Sequence, residues 1–139
     1  MICGGRSLMN PEELRERAKQ FAHRCVKLTL ALPNNSLGNH IRGQLIRCST
    51  SVASNYRATC LAQSKAHFVS KLSIVTEEAD ESIFWLEFII EEGLLGEPRV
   101  ASLLDEAKDL TKIFVAGRKT ARNRSPEFRS DTGPEHNNQ

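Results

Sequence analysis

The stretch from Asn10 to Asn35, NPEELRERAKQFAHRCVKLTLALPNN, carries a helix start, a packing seam and a stop. Asn10 is a capping residue, Pro11 suits the first turn, and Glu12 and Glu13 favour the positive end of a helix dipole. Apolar or small residues then recur at Leu14, Ala18, Phe21, Cys25, Leu28 and Leu32, in steps that alternate between four and three. That spacing is a heptad seam, the mark of a helix that packs against other helices. Pro33-Asn34-Asn35 ends it.

Three further segments repeat the pattern. A second helix is expected from about Leu37 to Ala62, with a stripe of Ile41, Leu45, Cys48, Val52, Asn55 and Thr59, and with Ala53, Tyr56 and Cys60 alongside. Its middle holds Ser49, Thr50, Ser51 and Ser54, poor helix formers whose small size suits close approach of a neighbour. Ser51 and Asn55 fall on this tight seam, where a polar residue fixes register or partner number. Ser64 caps a third helix, from Lys65 to about Glu92, with Phe68, Leu72, Val75, Ala79 and Leu86 on its stripe. From Ile83 to Ile90 this helix is apolar on more than one face. One bundle leaves the outer face of each helix in water, so Trp85 and Phe88 need another cover, and a second subunit is the simplest.

Gly93 to Gly96 closes that helix, and Glu97-Pro98 opens a fourth, with Val100, Leu103, Leu104, Ala107, Leu110, Ile113 and Phe114 on its stripe. The pattern dissolves after Arg118. The first and fourth helices read as shorter than the middle two, so the central hairpin is expected to project. Four helices, short connections and no strand pattern give an all-α, antiparallel up-down-up-down four-helix bundle over residues 11–119. Residues 1–10 read as an extension, with Met1 or Met9 as the start, and residues 120–139 as a polar, disordered tail.

Composition fits this reading. A chain of 139 residues with 40% hydrophobic and 26% charged residues is a one-domain globular length. Low Gly and Pro, 8 and 5, favour helix. No apolar run reaches the about 20 residues that span a bilayer, and the N-terminus lacks a signal-peptide pattern, so no membrane partner and a cytoplasmic location are expected. The net charge of +2 hides a segregation. No carboxylate lies between Glu16 and Glu77, whereas Glu77 to Glu97 is acidic with no Lys or Arg. Such blocks pair within a chain or between subunits, or mark a nucleic-acid face.

Specific chemistry is sparse. Cys3, Cys25, Cys48 and Cys60 have no Cys-x-x-Cys spacing and read as reduced thiols rather than zinc ligands. Glu77, Glu78 and Glu81 share one turn, but no His stands three residues after any Glu, as a di-iron bundle requires. Their expected role is charge pairing with arginines of the first two helices. Ser49, Ser51 and Ser54 lack a nucleophile turn, and Gly93-Leu94-Leu95-Gly96 is no phosphate cradle. No cofactor, metal or catalytic residue is expected, and the chain reads as a non-enzyme.

The run Gln44-Leu45-Ile46-Arg47-Cys48-Ser49-Thr50-Ser51-Val52-Ala53-Ser54-Asn55 resembles the second-helix signature of the bacterial four-helix bundle family, also called the 23S rRNA intervening-sequence protein family. Pro33 matches its inter-helix proline, and Phe68, Leu72, Glu81 and Leu86 match its third helix. The chain departs from it at Tyr56-Arg57-Ala58-Thr59, where many members have Ile-Ala-Glu-Gly, and at Glu77-Glu78, where members often have Gly-Ser. The resemblance implies a ring-like homopentamer with no known catalytic residues. It also implies a link to nucleic acid, since some members are encoded within insertions in large-subunit ribosomal RNA genes.

Two readings follow. In the first, the chain is a homo-oligomeric assembly or interaction module, with Ser51, Asn55, Tyr56, Trp85 and Phe88 on its seams. In the second, it binds RNA or DNA through Arg42, Arg47, Arg57 and Lys65, by phosphate contacts.

Overall fold

The structure, a computed structural model, describes residues 9–124. Four helices account for nearly all of them: α1 (Pro11–Thr29), α2 (Ser36–Thr59), α3 (Lys65–Glu91) and α4 (Glu97–Asn123). Each packs on the next, and α1 also meets α4, more sparsely. The connections are too short for anything but antiparallel neighbours, and cross-helix contacts agree. Arg17 reaches Glu106 while Arg24 reaches Ser102, so α1 and α4 run in opposite directions.

Local chemistry sets the ends. The side chains of Asn10, Asn35 and Ser64 accept from Glu13, Gly38 and His67 backbone N–H groups and so cap α1, α2 and α3. The α3 helix stops in a two-bond glycine turn. Gly93 takes a positive φ of 65°, Leu94 N–H donates to the Ile89 carbonyl and Gly93 N–H to that of Ile90. Gly38 has a different task. A Cβ there would stand 2.0 Å from the Pro33 carbonyl oxygen, so the turn into α2 closes only over glycine.

A single core runs the length of the bundle, from Leu14, Phe21 and Cys25 through Ile41, Leu45 and Val52 to Leu72, Leu86, Leu110 and Phe114. On α2 the buried stripe passes from Val52 to Tyr56, whose ring lies 5.5 Å from that of Phe114. Asn55 stands half-buried at its edge. The Ser and Thr residues of this helix bond back along it, Ser49 and Thr50 to the Ile46 carbonyl and Ser54 to that of Ser51.

The length expectation is corrected. The α3 and α4 helices both have 27 residues, α2 has 24 and α1 has 19. Residues 120–123, expected in the tail, are the last turn of α4, with Ala121 buried. The α2 helix ends at Thr59 rather than Ala62, because Cys60 to Ala62 turn instead. The tail beyond Arg124 and the extension before Met9 lie outside the described residues.

Candidate interaction surfaces

Two kinds of surface deserve chemical description: a cluster of rings on α3 and the cationic side chains that the sequence offers to nucleic acid.

The rings follow from helical spacing. Phe84 and Phe88 are one turn apart, and Trp85 lies between them toward α2. Phe84 meets Trp85 edge-on at 4.9 Å and Phe88 at 5.7 Å, and Trp85 meets Phe88 at 5.9 Å. His40 of α2 adds a fourth ring, 5.6 Å from Trp85 in a T-shaped contact. Such pairs are ordinarily core features. Here Phe84 is 53% exposed, and Trp85 and Phe88 are only half-buried.

Beside the rings stands an ion-pair network. Arg47 donates to Glu78 at 3.1 Å and also to Glu81. Burial pushes the Glu81 carboxyl up, but the Arg47 guanidinium outweighs this and holds it below its ordinary value. The Trp85 indole N–H helps in the same direction. That nitrogen is buried and close to Glu81, although no acceptor meets it at full bonding geometry. Glu77 is exposed and makes no ion pair among the described residues. On α2, Asn55 Nδ2 donates to the Ser51 hydroxyl at 2.8 Å and to its carbonyl at 2.9 Å, so the two residues act as one half-buried polar unit.

The candidate nucleic-acid cations are not brought together. Arg42 Nε donates to the Thr29 carbonyl at 3.1 Å and another guanidinium nitrogen to that of Leu32 at 2.8 Å, so it closes the end of α1. Arg47 is held by Glu78 and Glu81. Lys65 Nζ donates to the carbonyls of Arg122 and Arg124, at 3.0 and 2.6 Å, and closes the end of α4. Arg57 is exposed and shares a groove with Glu12, Glu13, Glu16, Arg15 and Lys19. Sequence periodicity could not find these capping roles, because each joins residues distant along the chain or beyond a turn.

Cys25 and Cys48 are buried in the core, and Cys60 is half-buried. Burial pushes Cys25 up to about 12 and Cys48 up to about 11. The Ser82 hydroxyl donates to Cys48 Sγ at 3.2 Å inside the core. Among the described residues no cluster of His, Cys, Asp and Glu is placed to hold a metal ion, and no helix is long and apolar enough to cross a membrane.

No curated protein matches the chain. Among solved structures, a protein of unknown function from the S23 ribosomal protein family of Bacteroides thetaiotaomicron is similar, with a TM-score of 0.71 and 29% identity, over 76% of this chain and 98% of that one. The profile of the 23S rRNA-intervening sequence protein family matches residues 12–116. With that match spanning all but the end of the bundle, the chain belongs to the 23S rRNA-intervening sequence protein family.

Proposed function

We propose that this protein is a non-enzymatic assembly module whose bundles join through the ring cluster of α3. The single observation that carries this reading is Phe84, 53% exposed at the head of four packed rings. Rings stacked in water gain little from their own contact. A partner that covers them removes apolar surface worth about 25 cal/mol per Å². Aromatics at the centre and charges such as Glu81, Glu87 and Arg47 around them are the anatomy of a protein interface. The partner is a second copy of the chain, in keeping with the surplus apolar surface of residues 83–90. The resemblance supplies the ring of five.

Sedimentation velocity at micromolar concentration tests the reading. The expected result is an oligomer that Phe84→Asp converts to monomer. A wild-type chain that sediments as a monomer overturns it.

A further inference from the structure

The ring cluster needs a seat on its partner, and the other half of the same helix face has the shape of one. Phe84 follows Ala66 by 18 residues and Phe88 follows Ser70 by 18, so each ring lies about five turns further along the outer face of α3. That face carries large rings in its second half and small side chains in its first, about 27 Å apart. Around Ala66 and Ser70 the surface sinks into a shallow groove of about 660 Å³ that Val69, Ser73 and Ile74 also line. Its lining is more apolar than polar, and Ile74 is 36% exposed. Glu77 stands at the end nearer the rings, exposed, where it stays in water when the groove is filled.

Charge narrows the occupant to a second copy. The far rim of the groove holds Lys65 and Arg122. Lys65 Nζ is tied to two carbonyls, whereas the Arg122 side chain is exposed and makes no ion pair among the described residues. The ring cluster ends on the opposite sign. Glu91, one turn beyond Phe88, is exposed and likewise makes no ion pair among the described residues. Laid antiparallel on a second α3, Phe88 faces Ala66, Phe84 faces Ser70 and Glu91 is directed to Arg122. Laid parallel, Phe84 faces Ala66, Phe88 faces Ser70 and Glu91 turns toward Glu77, like against like. The antiparallel lie therefore satisfies rings and charges together. An inclined crossing, about 50° in most globular helix pairs, keeps the Glu77 carboxylates of the two copies apart. Rim charges of this kind fix orientation more than they add affinity.

We infer that the rings of one copy seat in the α3-start groove of a second copy, with Phe88 over Ala66, Phe84 over Ser70 and Glu91 toward Arg122. This rests on the self-association reading and names the surface that receives the rings. The contact joins unlike patches, so a copy that keeps only its rings and a copy that keeps only its groove still pair.

Two variants of the full chain separate the patches. Phe84→Asp spoils the rings. Ala66→Glu/Ser70→Glu fills the groove and sets carboxylates against those of the ring cluster. Both positions are exposed and Glu suits a helix, so the subunit keeps its fold, which circular dichroism checks. In sedimentation velocity at micromolar concentration, each variant alone should associate about tenfold or more weakly than wild type. Mixed in equal amounts, the two should sediment as a pair. A groove variant that assembles like wild type while Phe84→Asp does not would overturn the seat and leave self-association standing. A mixture that stays monomeric also overturns the seat, and a monomeric wild type overturns both readings. Orientation has its own check. Glu91→Arg should weaken assembly a few-fold, and adding Arg122→Glu should restore it. A double variant weaker than Glu91→Arg alone overturns the antiparallel seat.

Discussion

The guanidinium of Arg42, early in α2, donates to the carbonyl of Thr29, the last residue of α1. It also reaches Leu32, whose own N–H donates to the Thr29 carbonyl, so one side chain ties together two carbonyls at the end of α1. Arg42→Ala should lower unfolding free energy by about 1.5–3 kcal/mol, the range for hydrogen bonds to a charged group. Chemical denaturation of the variant checks this. A variant as stable as wild type would show that water replaces the guanidinium without cost.

Gly38 makes a sharper demand on the same turn. Its missing Cβ leaves room for the Pro33 carbonyl, and backbone is what would have to yield. Gly38→Ala ordinarily gains stability inside a helix, by about 1 kcal/mol from propensity. Here the clash should reverse the sign and cost about 1–3 kcal/mol, as overpacking does. Substituting Gly43 by Ala supplies the contrast. A Cβ there meets nothing within 4 Å, so that change should be neutral or stabilising.

The helix ends also show where the sequence is legible. Asn10 and Ser64 announce their helices because capping is local, and the apolar stripes announce the core because packing follows the helical period. Asn55 sits on the heptad count, yet the core takes Tyr56 one residue later, since Phe114 of α4 offers that ring a partner. Residues 120–123 look like solvated tail until Lys65 is seen to close the helix from α3. Arg42 and Arg47 of α2 look available until Thr29, Leu32, Glu78 and Glu81 are placed beside them. In each case the missing information is a tertiary contact.

The buried thiols predict an alkaline limit. In the folded chain Cys25 and Cys48 remain protonated up to about 12 and about 11, against an ordinary value of 9.0. Between pH 9 and those values the unfolded chain therefore binds fewer protons than the folded one, and stability falls as pH rises. Tyr56, also raised by burial, acts in the same direction above pH 10. Thermal melts should stay level from pH 7 to about 8 and then decline toward pH 11, and Cys25→Ala/Cys48→Ala should shallow that decline. At neutral pH, iodoacetamide should leave Cys25 and Cys48 of the folded chain unmodified.

The ring cluster makes the last prediction, and the chain carries its own reporter. Trp85 is the one tryptophan in the sequence, and it lies within the cluster. If a second copy covers these rings, dilution exposes the indole and shifts its emission to longer wavelength. Folding is then linked to association, so the melting temperature should rise with protein concentration. Phe84→Asp should remove both dependences while leaving the subunit folded, because Phe84 is already half in water and supports little of the core. Emission and melting temperature that ignore concentration in wild type would separate the rings from self-association. A Phe84→Asp chain that fails to fold by circular dichroism would instead assign Phe84 to the stability of the subunit, so the two outcomes lead to different roles for the same ring.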